Sequence, residues 1–232
     1  MLTLSNSRRF GRRLAAIGLV LGPLLFFFDT LIDPAWAEDN AEYLAEVAGN
    51  KGAYVTAEVA STFGALIFIP GTIGVMRLMR GRRVTLGQFA AGIVTVGLIG
   101  LTASFAFSII DLAMADFENR GVMVDLRAEL EDSRAYNAYW LTFFSAGIVL
   151  GLILLAVALL RRRIVPVWSP TLLVVASGLW HVGGGERLLN ALSLLMLAAA
   201  LAPLAARMWS LSDEDWERWE IPLSKAGGAR LS

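Results

Sequence analysis

Residues 89–110 read FAAGIVTVGLIGLTASFAFSII, a run without a single charged side chain. An α-helix rises about 1.5 Å per residue, so a helix over this run would measure about 33 Å, enough to cross a hydrocarbon core of roughly 30 Å. Lipid offers no partners to backbone N–H and C=O groups, and a helix satisfies these groups within the segment, whereas barrel strands are nearer ten residues long and alternate in polarity. The run therefore predicts a membrane-spanning α-helix.

Six apolar blocks of this kind occur along the 232-residue chain. Hydrophobic residues make up 56% of the chain and charged residues only 17%, whereas a soluble domain is about one quarter charged. We predict an all-α polytopic membrane protein, a six-transmembrane-helix bundle with two short extracytoplasmic surface helices. The predicted spans are 14–32, 59–76, 89–110, 141–160, 165–182 and 188–206. Pro166 and Pro170 lie near the start of the fifth block, which predicts a short or tilted helix.

The positive charges indicate the orientation of the spans. Lys and Arg are enriched in the cytoplasmic flanks of membrane helices. Most of them fall on one side of the predicted bundle: Arg8, Arg9, Arg12, Arg13, Arg77, Arg80, Arg82, Arg83, Arg161, Arg162, Arg163, Arg207, Arg218, Lys225 and Arg230. The other side holds Lys51, Arg120, Arg127, Arg134 and Arg187. The prediction is a multi-pass protein of a bacterial plasma membrane with both the N-terminus and the C-terminus cytoplasmic.

The first block has an alternative interpretation. Arginines at 8–13, an apolar run and Ala35-Trp36-Ala37 resemble a secretory signal peptide with its cleavage site. Asp29 and Asp33 separate the apolar run from that site, which favours a retained span. The predicted organisation is a cytoplasmic basic N-terminus (1–13), a six-helix transmembrane domain (14–208) and a cytoplasmic amphipathic tail (209–232).

Two loops carry helical patterns. Asn40 is predicted as the N-cap of a short helix over 41–48, which Gly49 ends. The loop 113–137 has apolar residues every four positions among charged neighbours, which predicts an amphipathic helix lying across the outer mouth of the bundle. The apolar stripe of this second helix consists of Val122, Leu126 and Leu130.

Small residues predict where helices pack closely, because they let two backbones approach. Gly147 and Gly151 form a GxxxG pair in the fourth block. Gly100, Ser104 and Ser108 form a stripe at four-residue spacing in the third block. We expect both to be packing seams within the bundle, and a homodimer interface is the alternative.

Ionisable groups near membrane spans are costly, so each is a candidate functional residue. In this chain they fall at the predicted outer ends of the spans, where a bundle would bring them together. The candidate outer polar pocket consists of Asp29, Glu58, Asp111, His181, Glu186, Arg187 and Asn190. Such a pocket could bind a cation, pass protons or hold a divalent metal. The alternative is that these groups lie solvated or paired at the level of the lipid headgroups.

Composition excludes several classes of site within this chain. It contains no cysteine, which excludes disulfides, thiolate metal sites and iron–sulfur clusters. His181 is the single histidine, so a bis-histidine haem cannot form within one copy. We therefore predict no cofactor, and no metal can be assigned.

The tail is acidic from 213 to 220, and Ser212 is predicted to cap a short helix there with Asp215 at capping-box spacing. We predict that Trp209, Trp216 and Trp219 anchor this helix against lipid. A docking peptide for a membrane or cytosolic protein partner is the alternative. Nucleic acid is not a predicted partner, because the acidic tail repels phosphate.

Residues 41–48, AEYLAEVA, and residues 70–83, PGTIGVMRLMRGRR, resemble those of uncharacterised actinobacterial-type polytopic integral membrane proteins. The resemblance covers roughly the first 110 residues. That family has no assigned activity, so the resemblance implies an inner-membrane protein of unknown function.

The sequence favours a non-enzymatic membrane protein with a structural or accessory role, and its partners are then the lipid bilayer and another protein. Two alternatives remain open. One is a small transporter or ion-coupled sensor, which predicts a water-filled cavity reaching past Asp29 and Asp111. The other is a metal-dependent membrane enzyme, which predicts that Glu58, Asp111 and His181 converge within coordination distance.

Overall fold

A computed structural model describes residues 4–80, 85–183 and 186–217, and these residues form helices without any strand. The predicted all-α fold is confirmed. The helices in chain order are α1 (Leu4–Ile32), α2 (Asn40–Gly49), α3 (Lys51–Leu78), α4 (Leu86–Ala103), α5 (Phe105–Ala115), α6 (Arg120–Asp132), α7 (Arg134–Tyr139), a π-helix (Trp140–Leu150), α8 (Gly151–Arg162), α9 (Trp168–Val182), α10 (Arg187–Ser210) and α11 (Asp213–Glu217).

Five helical segments of the described chain are long and apolar enough to cross a membrane: Arg9–Ile32, Lys51–Leu78, Leu86–Ala115, Arg134–Arg162 and Arg187–Ser210. They correspond to all the predicted blocks except the fifth. That block forms α9, whose 15 residues fall short of the roughly 20 that a spanning helix uses. Pro166 delays the start of α9, because the residue before a proline is disfavoured in helical conformation, and Gly183 follows its last residue.

The third predicted span consists of two helices. Helix α4 ends at Ala103 and α5 begins at Phe105, with Ser104 between them. The Ser104 hydroxyl donates to the Leu101 carbonyl oxygen at 2.6 Å, and the Thr102 hydroxyl donates to the Ile99 carbonyl oxygen at the same distance. Side chains that bond to their own helix backbone bend helices, which accounts for the break at this point.

The two ends of the bundle differ in charge. Helix α1 packs on α3 and α10. Arg12 of α1 donates to the backbone of Trp209 in α10, and we call this end the arginine end. At the other end, the Arg187 guanidinium donates to the carbonyl oxygens of Thr30, at 2.9 Å, and Leu31, so it caps the C-terminus of α1. Asp29, Glu58 and Asp111 also lie toward this second end, and we call it the carboxylate end.

The space between the two ends is filled by apolar side chains. A single cluster of buried residues extends through the long helices. Phe68 of α3, Leu98 of α4, Ile148 of the π-helix and Leu197 of α10 all belong to it, and each is at most 2% exposed. Close packing of this kind leaves few voids in the interior.

Glycines bring α1 and α3 into close contact. A Cβ atom built on Gly22 would lie 2.6 Å from the Cβ of Phe68, and one built on Gly71 would lie 2.8 Å from the backbone nitrogen of Leu19. A Cβ on Gly18 would collide with the carbonyl oxygen of Ile67. This seam was not predicted, although Gly18 and Gly22 have GxxxG spacing.

The tail helix α11 folds back onto the arginine end. The Asp213 carboxylate pairs with Arg9 at 2.8 Å and with Arg12 at 3.0 Å. The hydrogen bond from Arg9 lowers the pKa of Asp213 below its ordinary value, and the positive charge of Arg12 acts in the same direction. The predicted cap is present, since the Ser212 hydroxyl accepts from the Asp215 amide at 3.0 Å.

One prediction about the tail was wrong. Trp216 was expected to face lipid, but it is only 6% exposed and belongs to the apolar core, with the Arg77 guanidinium 5.7 Å from its ring centroid. Because α11 folds back onto the bundle, its Trp216 side turns inward. Trp209 is half exposed, as expected of an anchor. Trp219 lies outside the described residues.

The two loop helices also differ from their predicted details. The N-cap of α2 is Asp39, whose Oδ1 accepts from the amides of Ala41 and Glu42 at 3.0 Å, and Asn40 is the first helical residue. Leu44 and Val47 of α2 are buried in a small second core. The side of α2 that carries them therefore packs against protein.

Helix α6 packs with a different face from the one predicted. Met123 and Val124 pack against the second core, whereas Val122 and Leu126 are about half exposed. The reason is that Arg127, one turn after Met123, pairs with Asp111 of α5 at 3.2 Å and so turns this side of α6 toward the long helices.

Candidate functional site

Asp29 and Glu58 face each other at the carboxylate end. Asp29 lies one turn before the end of α1, and Glu58 lies two turns after the start of α3. The two helices pack together, so these positions come close enough for the negative charge of Glu58 to act on Asp29. Serine hydroxyls line the pair, with Ser61 beside Asp29 and Ser108 beside Glu58.

Asp111 is the centre of a neighbouring polar cluster. The hydroxyls of Tyr43 and Tyr54 donate to its Oδ2 at 3.2 and 3.4 Å, and the Arg127 Nε donates to its Oδ1 at 3.2 Å. We call Tyr43, Tyr54, Asp111 and Arg127 the Asp111 cluster. Its members come from α2, α3, α5 and α6, so the cluster joins the loop helices to the long helices.

Arg127 is the cation of this cluster. Its guanidinium also pairs with Glu131 at 3.1 Å, bonds to the Asn40 side chain and lies 3.8 Å from the ring centroid of Tyr43. Burial by itself lowers the pKa of Arg127, but Asp111 and its other acidic neighbours raise it above the ordinary value.

Tyr43 is the neutral member of the cluster next to Arg127. Burial raises the pKa of Tyr43, and the neighbouring Tyr54 and Asp111 groups raise it further. Tyr43 therefore stays a neutral hydrogen-bond donor.

A cavity of about 550 Å³ lies beside the Asp111 cluster. Its charged lining residues are Asp33, Glu38, Glu131 and Arg127, and its aromatic lining residues are Trp36, Tyr43 and Trp140. Neither Asp29 nor Asp111 lines it. This cavity is therefore not the one that the transporter hypothesis predicts, which would reach past Asp29 and Asp111.

The segment between α1 and α2 forms one wall of the cavity. Glu46 of α2 holds this wall, because its Oε2 accepts from the backbone amides of Trp36 at 2.9 Å and Ala37 at 3.1 Å. The Asp33 Oδ1 accepts from the Ala35 amide at 3.0 Å. The segment is therefore fixed by two carboxylates and presents its side chains in a defined arrangement.

Asp33 gives the site a dependence on pH. Burial raises the pKa of Asp33 to about 6, although the Ala35 amide and the charge of Arg187 oppose this shift. Between pH 4 and pH 6 the folded protein binds a proton that the unfolded chain does not, so stability falls as the pH rises through this window and changes no further above it. We expect Asp33→Asn to abolish this fall, on the order of 1 kcal/mol after solvent screening.

The measurement is the denaturant midpoint at pH 4.5 and pH 7 for the wild type and for Asp33→Asn in detergent. The asparagine keeps an oxygen that can accept from Ala35, so the wall is retained. Glu42→Gln, at an exposed position of α2, serves as the control and should keep the wild-type pH response. An unchanged pH response in Asp33→Asn would contradict the assignment.

The structure separates the remaining predicted pocket residues from the carboxylates. His181 is exposed on α9 and lies 6.4 Å from the Phe144 ring, centroid to centroid. Glu186 is exposed, and Arg187 caps α1. Asn190 is partly buried one turn into α10. Glu58 is close enough to both Asp29 and Asp111 for their charges to interact, so these three carboxylates form one group. The other predicted pocket residues lie at the end of α9 and at the start of α10.

The predicted metal centre does not form. In residues 4–80, 85–183 and 186–217, no three His, Cys, Asp or Glu side chains converge at coordination distance. The hypothesis of a metal held by Glu58, Asp111 and His181 is wrong for this arrangement, because His181 projects from α9 toward Phe144.

The small residues of the third and fourth blocks meet within the chain. A Cβ atom built on Gly97 would lie 2.7 Å from the Gly147 carbonyl carbon, and one built on Gly151 would lie 2.7 Å from a Val94 methyl group. Gly100 lies directly against the Phe143 ring. Of the two serines, Ser104 lies at the break between α4 and α5, and Ser108 is buried beside Glu58.

Several residues of the candidate site were not predicted from the sequence. These are Tyr43, Tyr54, Glu46, Trp36 and Arg127. Tyr43 and Val47 lie four residues apart on α2, and this spacing was an available signal for a buried helix face. Arg127 and Glu131 have the four-residue spacing of an ion pair on one helix, but no local pattern marks the contact of Arg127 with Asp111, which is distant in the sequence.

A family model described as Domain of unknown function (DUF4386) matches residues 8–212. The chain belongs to this family. The match extends over all the long helices, the loop helices and the cavity, so the DUF4386 domain includes the whole candidate site. The resemblance to an uncharacterised family is confirmed in this respect, and its actinobacterial type remains a prediction. No curated protein and no solved structure matches the chain.

Proposed function

We propose that this DUF4386 protein is a non-enzymatic accessory protein of the bacterial plasma membrane, which crosses the membrane six times and presents a receptor-like polar surface outside the cell. The carboxylate end faces outward and both termini are cytoplasmic. The arginines support this orientation, since Arg9, Arg12, Arg77 and Arg207 all lie at or near the ends of helices on the other side.

Contacts at both ends of α9 support a sixth crossing. Arg207, near the C-terminus of α10, donates to the carbonyl oxygen of Ile164 at 2.9 Å, so the chain before α9 lies at the arginine end. The chain after α9 leads to Arg187, which caps α1 at the carboxylate end. A 15-residue helix is about 22 Å long, and residues 164–167 precede it on the side of the arginine end.

The observation that carries the proposal is that the carboxylates of the long helices lie at one end. The Asp29 and Glu58 pair, the Asp111 cluster and the cavity all lie at the carboxylate end, while the middle of the bundle is filled by buried apolar side chains. Such an arrangement suits binding at one face. Transport requires polar groups that line a path through the membrane.

The intramembrane pairing of Asp29 and Glu58 favours a second candidate, an ion-coupled sensor or small transporter. Two neighbouring carboxyl groups, each with a serine hydroxyl beside it, can exchange a proton or hold a monovalent cation. This candidate requires water to reach the middle of the bundle, and water access can be tested directly.

The chain is free of cysteine, so single cysteines report topology and water access without background. We expect a membrane-impermeant maleimide to label Glu38→Cys in intact spheroplasts and to label Ser210→Cys only after permeabilisation. Both positions are exposed, one at each end. A small charged methanethiosulfonate should leave Ala65→Cys and Ala198→Cys unmodified, because both alanines are buried near the middle of their helices.

Labelling of Ser210→Cys from outside would overturn the orientation. Rapid modification of Ala65→Cys or Ala198→Cys in the native membrane would replace the accessory role with the transporter or sensor. Denatured samples of the same variants should react fully, which ensures that a lack of labelling reports burial.

A further inference from the structure

We propose that the 550 Å³ cavity at the carboxylate end binds an alkylated ammonium group, held between the carboxylates of Asp33, Glu38 and Glu131 and the indole rings of Trp36 and Trp140. This inference deepens the proposed receptor-like role and rests on it. The recognised chemistry is a positive charge surrounded by methyl or methylene groups.

The charges around the cavity favour a cation. Three carboxylates line it against one guanidinium, that of Arg127. This guanidinium is already engaged by Asp111 and Glu131, with bonds of 3.2 and 3.1 Å. Glu38 is exposed and makes no ion pair among the described residues. The cavity therefore offers negative charge that the protein itself does not fully neutralise.

The aromatic walls favour an alkylated cation over a hydrated metal ion. The Nε1 atoms of Trp36 and Trp140 are both buried away from accessible space. The two indoles therefore present ring carbon, and not a hydrogen-bond donor, to whatever occupies the cavity. Ring faces attract cations and also accept methyl groups, and sites that combine ring faces with carboxylates suit quaternary ammonium groups.

The dimensions agree with a small organic ligand. Cavities of about 300–1,000 Å³ hold small molecules, and the volume here falls within that range. The Glu46 carboxylate fixes the Trp36 wall and the Asp111 cluster fixes Tyr43 and Arg127, so the site is largely formed before any ligand arrives.

The position of the cavity allows two sources for the ammonium group. Asp33 follows directly on the span that ends at Ile32, and Trp140 lies near the start of the span Arg134–Arg162. The cavity is therefore at the level of lipid headgroups. A choline-type solute from outside the cell and a choline headgroup of a neighbouring lipid carry the same chemistry.

The test is a calorimetric titration, in which choline chloride is added to the full-length protein in dodecyl maltoside and the heat of binding is measured. The matched ligand is 3,3-dimethylbutan-1-ol, which has the shape of choline without its charge. We expect saturable choline binding that sodium chloride at equal ionic strength does not reproduce, and at least tenfold weaker binding of the neutral alcohol.

Variants tie the binding to the cavity. Glu38→Gln and Trp36→Leu should each weaken choline binding about tenfold, through loss of the charge and of the ring face respectively. Glu42→Gln removes an exposed carboxylate from α2 outside the cavity and should bind as the wild type does. Glu38 is exposed, so its neutral variant should fold normally, and thermal unfolding of each variant verifies this.

Equal binding of choline and its neutral analogue, or an equal loss in Glu38→Gln and Glu42→Gln, would overturn the inference, as would an absence of binding. In that case external labelling of Glu38→Cys would still support the proposed outward-facing role, so the two proposals fail separately.

A second experiment distinguishes the two sources of the ammonium group and uses nanodiscs of phosphatidylglycerol with or without phosphatidylcholine. Weaker choline binding with phosphatidylcholine supports a lipid source, and unchanged binding supports a free solute.

Discussion

Replacing Gly97 with alanine is expected to lower the free energy of unfolding by about 1–3 kcal/mol, which is the usual cost of forcing an extra methyl group into a well-packed contact. The new Cβ would lie 2.7 Å from the carbonyl carbon of Gly147 and 2.8 Å from the backbone nitrogen of Ile148. Both are backbone atoms, so α4 and the π-helix must separate along their length. Denaturant unfolding of the purified protein in detergent measures the effect.

The same helix provides the control. Gly92 also lies in α4, but a Cβ there would meet only the end of the flexible Met76 side chain at 3.9 Å. Alanine is a better helix former than glycine by about 1 kcal/mol, so Gly92→Ala should be neutral or stabilising. Equal losses in Gly97→Ala and Gly92→Ala would show that the helices do not meet at Gly97.

Glycine spacing predicts that a seam exists but not which helices form it. The GxxxG pair at Gly147 and Gly151 was evident from the sequence, yet its partner surface includes Gly97, which belongs to no such motif. The seam between α1 and α3 leads to the same conclusion. Gly18 and Gly22 have GxxxG spacing, but only the packing shows which residues of α3 they contact.

The helical blocks were predictable because hydrophobic length is a local property. The runs without charge correspond to the five long segments and to α9. Features that depend on hydrogen bonds between near neighbours were not predicted, such as the break at Ser104 and the π-helix at Trp140–Leu150. To predict the break and the π-helix, one must know which carbonyl oxygen each side chain hydrogen-bonds to and which residues the helix packs against.

The candidate site was predicted only in its location. The clustering of ionisable groups at one end follows from span boundaries, which is why the sequence predicts Asp29, Glu58 and Asp111 at the same end. Which of them meet depends on helix rotation and on the loop helices. His181 projects away from this group, while Tyr43 and Arg127 reach Asp111 from loops.

Replacing Arg127 with methionine is expected to lower the free energy of unfolding by about 2–4 kcal/mol. Breaking a buried ion pair by removing one partner is costly, because it leaves the other charge uncompensated. The Arg127 and Asp111 side chains are only 12% and 14% exposed, and Arg127 also pairs with Glu131 and covers the Tyr43 ring. The loss should appear in denaturant unfolding and as faster protease cleavage within 113–137.

Two further variants separate loss of the pair from loss of bulk. Arg120→Met removes an exposed arginine from the same helix and should cost less than about 0.5 kcal/mol. The double variant Arg127→Met with Asp111→Asn removes both charges, while Tyr43 and Tyr54 can still donate to the side-chain oxygen of the introduced amide. Because no unpaired carboxylate then remains, it should be less destabilised than the sum of the two single variants, by about 1–2 kcal/mol. Strict additivity would mean that the ion pair does not hold α6 against α5, and that the cavity wall carrying Arg127 and Glu131 depends on other contacts.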